Sequence, residues 1–500
     1  MSTATGQRHL VLITGSIMLA TVMQVLDMTI ANVSLPNMQG NLSASQDQIA
    51  WVLTSYIVAS AIMTPPTGFL AARYGRKRLF TWIVTGFVIS SMLCGAATSL
   101  TELVVFRIMQ GMFGAGLVPL SQAVILDAWP RERHGQAMAI WGVGVMVGPI
   151  LGPTLGGYLT EYYSWRWIFY INLPTGMLAL AGIMAFVPET ELDRERPFDM
   201  LGFALLSLGI GALQLMLDRG HSQDWFESGE IVIEAALAVL FIYMFIVHMF
   251  TARRPFLEPG LFRDRNFLIG MSLIFIIGMI LLSTITLLPP FLQNLMGYSI
   301  IDTGFILAPR GMGTMAAMMT VGILSRKVDP RLMILTGMAL TLLSLLEMTW
   351  FNLDVSTWTL IHTGIVQGAG LGFIFVPLST IAFTTLAPHF RTEGAAMFSL
   401  MRNLGSSIGV SVLITILGQK TQAHHAILAE HVNAFNPALA GPVATDTTTG
   451  LLLLNGEVTR QAATLAYLYD FRIMMVIILL TVPLISLLRM PKPGDLIRHS

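Results

Sequence analysis

The chain has 500 residues, with 28 Lys or Arg and 28 Asp or Glu; the formal net charge is zero and 11% of positions are charged, against roughly 25% in a typical soluble domain. With 54% apolar residues and a single cysteine, Cys94, this composition excludes a soluble globule, an intrinsically disordered chain and a disulfide scaffold. Zero net charge also gives no reason to expect a nucleic-acid partner.

Long apolar runs rich in glycine read as an all-α polytopic membrane protein. A spanning helix takes about 20 mainly apolar residues. In chain order, fourteen segments qualify: 10–35, 48–72, 79–98, 102–126, 135–159, 166–187, 200–217, 231–251, 268–290, 304–325, 331–350, 358–383, 394–418 and 467–488. The stretch 200–217 is the weakest, because it is short and ends in Asp218 and Arg219. The first run is too long for a signal-peptide core and lacks a clear small-residue cleavage site, so it reads as a retained helix. The runs are continuous rather than alternating, which argues for helices over a barrel.

Basic residues test this count. With fourteen spans, the loops on one side hold 20 Lys or Arg, including Arg73, Arg76, Lys77, Arg131, Arg194, Arg196, Arg326, Lys492 and Arg498, while the opposite loops hold 4. That bias places both termini in the cytoplasm. The outer segment 419–466 is long and polar, with His424, His425, His431 and a Thr-rich patch at 444–449. It reads as a linker or as a docking surface for a partner outside the membrane. The histidines lack the Cys or carboxylate companions of a metal site, and no metal is expected.

The two halves of the chain resemble each other. Gln110-Gly111 precedes Pro119-Leu120-Ser121, as Gln367-Gly368 precedes Pro377-Leu378-Ser379. Gly135-Gln136-Ala137-Met138 matches Gly394-Ala395-Ala396-Met397, and the basic stretch after Gly68 matches the one after Gly322; the offsets run from 254 to 259 residues. Matching segments share one orientation, so the repeat is parallel, as in transporters whose halves rock about a central site. The expected organisation is a six-helix bundle at 10–187, two additional helices at 200–251, a second six-helix bundle at 268–488, and a long periplasmic loop at 419–466.

Charges inside spans are costly and default to functional candidates. Asp27 lies roughly 12 Å deep from the outer face and Arg107 roughly 8 Å deep, at 1.5 Å per residue. These depths allow a pair if their helices are neighbours. A carboxylate alone at such depth holds a proton more tightly than one beside a guanidinium, so moving the partner would load or release a proton. A static structural pair is the alternative. Arg310 and Glu347 sit near the outer ends of their spans, where snorkelling would suffice. Arg402 is too deep for that. Asp470 and Arg472 fall at the edge of the last span and read as structural. Gly144, Gly148, Gly152 and Gly156 form a stripe with Pro149 and Pro153 beside them, a close-packed, bendable helix suited to a gate. Gly405 to Gly409 fits G-x-S-x-G but lies inside an apolar helix without partners, and no phosphate-binding loop occurs.

Taken together, Leu26 to Pro36 (LDMTIANVSLP), Gly68 to Lys77 (GFLAARYGRK), Arg107 with Gln110-Gly111, Gly144 to Gly157 (GVMVGPILGPTLGG) and Trp165 to Gly176 (WRWIFYINLPTG) resemble the 14-span drug:proton antiporter (EmrB/QacA) subfamily of the major facilitator superfamily. The resemblance covers nearly the whole chain. It implies the major facilitator fold, with two six-helix bundles plus two inserted helices, and proton-driven export of hydrophobic or amphiphilic toxic compounds without a cofactor. It implies proton coupling at Asp27 and Arg107, and gating by the helix with Gly144, Gly148, Pro149, Gly152, Pro153 and Gly156. It further implies a cytoplasmic gate loop with Gly68, Arg73, Gly75, Arg76 and Lys77. Asn32, Gln110, Arg310, Glu347 and Arg402 remain candidates for substrate or coupling. Ala72 stands where that loop usually carries an acid, so the corresponding carboxylate contact is not expected here. The implied partners are a periplasmic adaptor of the EmrA type and an outer-membrane channel of the TolC type, at a bacterial inner membrane. Other readings are an exporter of a metabolite, fatty acid or siderophore, and a receptor that kept the fold without transport. An enzyme is disfavoured, because no catalytic cluster of His, Cys or carboxylates is present.

Overall fold

The computed structural model describes residues 2–130, 133–190, 198–325, 327–432 and 448–489. Arg131, Arg194, Arg196, Arg326, Lys492 and Arg498, and most of the Thr-rich patch, lie outside them. Among the described residues there are seventeen α-helices and no strand. The first nine are α1 (Ser2–Asn41), α2 (Gln46–Met63), α3 (Thr67–Tyr74), α4 (Arg76–Ala96), α5 (Leu100–Gly114), α6 (Leu117–Ala128), α7 (His134–Tyr162), α8 (Trp167–Tyr170) and α9 (Asn172–Phe186). Then come α10 (Met200–Arg219) and α11 (Gly229–Thr251). The last six are α12 (Arg265–Pro290), α13 (Ile300–Leu324), α14 (Pro330–Met348), α15 (Thr357–Thr384), α16 (Arg391–Ala429) and α17 (Thr448–Ser486).

Local chemistry sets many of the ends. Ser45 caps α2 in a box with Gln48, each side chain accepting from the other's backbone N–H. Ser99, Asp264, Ser299 and Ser356 cap α5, α12, α13 and α15 with side-chain oxygens. Pro65 and Pro66 lack the N–H that would continue α2, and the chain bends by 55° into α3. Pro289 and Pro290 likewise end the regular ladder of α12, and one π-turn follows at Phe291–Leu295.

Among the described residues, twelve helical segments are long and apolar enough to cross a membrane, and the bent pair α2–α3 makes a thirteenth. The remaining expected span is α13. At 25 residues it is long enough, but Asp302, Pro309, Arg310 and its glycines leave it less apolar than the others. It nonetheless packs between α7 and α15 on one side and presents an apolar face with Ile301, Phe305, Met312, Met319 and Ile323 on the other, as a helix facing lipid does. At the expected outer loop, α16 runs on to Ala429 and α17 starts at Thr448, so helix extends into both flanks of 419–466.

One core runs through most of the molecule, from Ile17 and Phe80 near the start to Phe471 and Ile478 near the end. A second cluster, with Leu26, Ile30, Val52, Leu103 and Phe169, joins α1, α2, α5 and α8. α10 bridges the first and last thirds: Asp218 bonds Thr54 on α2, and Gln214 Nε2 donates to Ser407 Oγ on α16 at 2.8 Å. α11 shields only one side of α10 and leaves Ile233, Val239, Leu240, Tyr243 and Phe250 exposed. Such a bare apolar helix is stable in a hydrocarbon surrounding and would aggregate in water.

Candidate functional site

α1, α5 and α9 bring four polar side chains to one point inside the second core cluster. Asp27 on α1 and Arg107 on α5 form an ion pair at 2.8 Å, each side chain only 1% exposed. Asp27 Oδ1 also accepts from Gln110 Nε2 at 2.9 Å and from Asn172 Nδ2 at 2.7 Å. Arg107 donates further to Gln110 Oε1 at 2.8 Å and to the Val52 carbonyl at 3.0 Å, and its guanidinium lies 4.3 Å from the centre of the Tyr56 ring. Asn172 is itself oriented by a 2.9 Å bond to Ser91 Oγ. Burying a lone charge at this depth would cost several kcal/mol. Three donors on one carboxylate, and a guanidinium that also bonds a carbonyl and an amide and stacks on an aromatic ring, are what make the pair tolerable. Gln110 was a candidate from the sequence. Asn172 and Tyr56 were not singled out, although Asn172 lies within the quoted segment Trp165–Gly176.

The glycine stripe of α7 faces the helix that carries Asp27. At Gly148 a Cβ would lie 2.7 Å from Val25 Cγ1 and 2.9 Å from the Leu26 backbone nitrogen, so only glycine lets the two backbones meet. Thr29 Oγ1 donates to the Gly148 carbonyl at 3.2 Å. Gly144, Gly152 and Gly156 face Met18, Thr29 and Ile30 in the same way. Pro149 and Pro153 lie within α7, which stays one uninterrupted helix. On another face α7 meets the second half: Trp141 stacks on Phe375 of α15 at 6.0 Å, and Ile150 abuts Gly311 of α13. One helix thus touches both the helix that carries the buried acid and the opposite bundle.

The expected gate loop is mostly helical: it comprises α3 and the first residues of α4, with the turn at Gly75 between them. Gly75 takes φ +88°, which a side chain adopts with strain, and a Cβ there would strike Glu189. The Lys77 backbone N–H donates to Glu189 Oε1 at 3.2 Å. Gly68 presses on the backbone of Glu393 in α16, and Arg73 stands 6.0 Å from the Tyr74 ring. Arg76 pairs with Asp127 at the end of α6, Arg391 at the start of α16 donates to Asp127 Oδ1 at 2.7 Å, and Arg76 Nε donates to Thr392 Oγ1 at 3.1 Å. So although Ala72 offers no acid, Asp127 provides a carboxylate from another helix and ties the loop to the second half. Its sequence signal was an acid directly after the end of a span.

The other candidates do not join the node around Asp27. Asn32 is exposed on α1. Glu347 on α14 accepts from Thr363 Oγ1 at 2.8 Å and faces His362 at 3.5 Å, a local tie to α15. Arg310 is 8% exposed and reaches the Leu281 carbonyl at 3.4 Å. Among the described residues no carboxylate pairs with Arg310 or Arg402. Asp470 departs from the sequence expectation. Because α17 begins at Thr448, Asp470 sits well inside the helix rather than at its edge, with no exposed surface. Among the described residues no three His, Cys, Asp or Glu side chains gather as a metal site.

The sequence profile of the Major Facilitator Superfamily matches residues 17–410. The chain is 38% identical over 436 residues to "Multidrug export protein EmrB" of Escherichia coli (strain K12), covering 86% of this chain and 84% of that protein. It is 35% identical over 486 residues to "Fatty acid resistance protein FarB" of Neisseria gonorrhoeae, covering 96% of each. Among solved structures, the human organic anion transporter MFSD10 superposes with a TM-score of 0.61 over 94% of this chain and 99% of that one, at 15% identity, a likeness of fold.

Proposed function

The chain belongs to the major facilitator superfamily and is a multidrug efflux transporter, not an enzyme, and we propose that it exchanges protons for hydrophobic or amphiphilic toxic compounds. Asp27 is the proton carrier and Arg107 its switch. The observation that supports this most is the dry ion pair lying one residue from the contact between α1 and the gating helix α7. When α7 shifts with the second half, α1 moves against α5 and α9, and Asp27 loses donors. An acid stripped of its guanidinium takes up a proton, and return of the guanidinium expels it. One charge crossing 100 mV releases about 2.3 kcal/mol, which sustains roughly a fifty-fold substrate gradient, since 1.4 kcal/mol is tenfold.

In this reading both termini are cytoplasmic and the membrane is the bacterial inner membrane. The loop with Gly68, Arg73, Gly75, Arg76 and Lys77 forms, with Asp127 and Arg391, the cytoplasmic gate. The bundles at 10–187 and 268–488 rock against each other, with the node inside the first of them and 200–251 as the added pair. The segment 419–466 faces a periplasmic adaptor of the EmrA type, which hands cargo to an outer-membrane channel of the TolC type. Arg310 and Arg402 favour a second cargo class, anionic amphiphiles such as fatty acids, because neither has a carboxylate partner among the described residues and because of the FarB relative. Asn32, Gln110 and Glu347 remain substrate or coupling positions.

The test starts from a toxicity panel in a pump-deleted strain, with and without an adaptor, to find the drug with the strongest phenotype. In inverted vesicles that drug should drive proton release through the parent chain, and Asp27→Asn should abolish the release while the protein still folds. Undiminished release in Asp27→Asn would overturn the assignment.

A further inference from the structure

The second half holds a carboxylate that the coupling scheme above does not use. Asp470 has no exposed surface, and neither of its oxygens has a hydrogen-bond partner among the described residues. It shares a buried face of α17 with Tyr467, Phe471 and Met474, at helical spacings of three and four. Tyr467 packs edge-on against Phe291 at 5.3 Å, and Phe471 against Phe351 at 6.3 Å. One turn further, Thr284 Oγ1 on α12 reaches Met474 Sδ at 3.9 Å, and Gln367 Nε2 on α15 donates to Thr284 Oγ1 at 3.4 Å. Ser283 Oγ and Gln367 Oε1 are also buried without partners. The face of α17 therefore closes over a polar seam whose capacity for hydrogen bonds is largely unused.

The internal repeat explains where this seam comes from. Thr284 stands 257 residues after Asp27, the interval that also separates Gln110 from Gln367. α17 closes the second half as α9, with Asn172, closes the first. In the first half the acid is on the opening helix and the amide on the closing one. In the second half a hydroxyl opens and the acid, Asp470, closes, with the glutamine kept between them. The same interval after Arg107 gives Gly364. The guanidinium is thus missing from its repeat position, and Arg310, which borders Gly364, bonds the Leu281 carbonyl instead.

Among the described residues, no charged or titratable group on the elements packed against α17 makes a hydrogen bond to Asp470. Glu347 on α14 is held by Thr363 and His362. Lys420 on α16 lies over the Tyr469 ring at 4.6 Å. α12 carries only Arg265, at its start. Arg402 on α16, and Tyr467 on the helix of Asp470 itself, make no hydrogen bond or ion pair to it.

We propose that Asp470 is a second proton-binding site, loaded with a proton in this conformation. A dry ionised carboxylate without donors costs several kcal/mol, and no protein group is placed to offset that cost. A proton on Asp470 removes the charge. Asp27 is in the opposite situation, with three donors holding it as the carboxylate. The two halves therefore hold their acids in opposite protonation states. When the halves reorient and the seam opens to water, the Asp470 O–H bond breaks and the proton leaves to solvent on the open side.

This rests on the antiporter reading, and the experiment separates the two. Parent and Asp470→Asn proteins are purified and reconstituted, and protons moved per molecule are counted with the drug chosen by the toxicity panel. Asparagine mimics the neutral acid in shape, so Asp470→Asn should fold with unchanged yield and melting temperature, and the proton-to-drug ratio should be halved. The infrared carbonyl stretch of a protonated carboxyl group should be present in the parent and lost in Asp470→Asn. An unchanged ratio, an infrared band that persists in the variant, or an Asp470→Asn protein that cannot fold each overturns the second site. A parent that moves no protons with the drug overturns the antiporter reading instead, and the infrared arm still decides whether Asp470 holds a proton.

Discussion

Asp127→Asn keeps the shape of the side chain and removes the negative charge that pairs with both Arg76 and Arg391. Asp127 is 35% exposed, while the arginines are 12% and 11% exposed. An exposed ion pair contributes about 0.2–1 kcal/mol, and the buried arginine ends put each pair here near the upper figure. Arg76 and Asp127 both belong to the first bundle, so of the two pairs it is the one with Arg391 that crosses between the halves; losing it costs about 1 kcal/mol, or roughly five-fold in the balance between joined and parted halves at this end. The bond from Arg76 to Thr392 survives, so the shift is partial. Disulfide trapping reads that balance. Gly135 and Ser325 face each other across the same interface, where a Cβ on Gly135 would lie 2.6 Å from the Ser325 Cβ; a disulfide takes about 3.5–4.5 Å, so the pair needs roughly 1 Å of give. Cys94 is the sole cysteine and is buried, so Cys94→Ser gives a clean background. In Gly135→Cys/Ser325→Cys, adding Asp127→Asn should slow cross-linking by about three- to five-fold, and Asp127→Glu should restore most of the rate. Equal cross-linking with and without Asp127→Asn would refute the idea that this carboxylate holds the halves together.

Arg107→Ala leaves Asp27 buried without its guanidinium and should cost about 3–5 kcal/mol, read as loss of folded yield. Combining it with Asp27→Asn should recover much of that yield, because the stranded charge is gone. Gly148→Val forces a side chain into the Leu26 backbone and should cost about 1–3 kcal/mol and most drug resistance, whereas Gly157→Ala, with nothing within 4 Å of its Cβ, should be neutral in both assays. At the start of α10, partial burial pushes the Asp199 carboxyl up, but hydrogen bonds from the Gly202 amide, the His248 ring and the Phe256 amide outweigh it and hold the group below the usual carboxylate range. A depressed value means that its stabilisation is present above the unfolded carboxylate range, near pH 4, and is lost as pH falls through the folded value. Asp199→Ala should therefore destabilise the protein at pH 7 by the roughly 0.5–2 kcal/mol of a helix cap, read as a lower melting temperature, and the two proteins should converge as pH falls below about 4.

Spans, repeat and most of the node were legible for definite reasons. An apolar run of about 20 residues has few alternatives to a helix in lipid, and an acid inside such a run stands out against its surroundings. Bends and edges were less legible. α13 is diluted by Asp302 and Arg310, and α17 begins well before the apolar stretch that announced it, so Asp470 looked peripheral when it is interior. Asn172 and Asp127 went unremarked because an amide in a signature segment and an acid at a helix end look ordinary until a partner stands beside them.

The order of residues alone determined that this chain lives in a membrane, that it is built twice over, and that Asp27 and Arg107 lie at depths where neither is tolerable alone. Those conclusions follow from the cost of charge and bare backbone in hydrocarbon, which acts on each segment separately. Only the folded arrangement decided which groups meet: Asn172 on Asp27, Asp127 between two arginines, α7 against α1 at Gly148, and, among the described residues, no hydrogen-bond partner for Asp470. Pairing depends on which helix faces surround a group, and helices far apart in sequence choose those faces through packing that no single segment encodes.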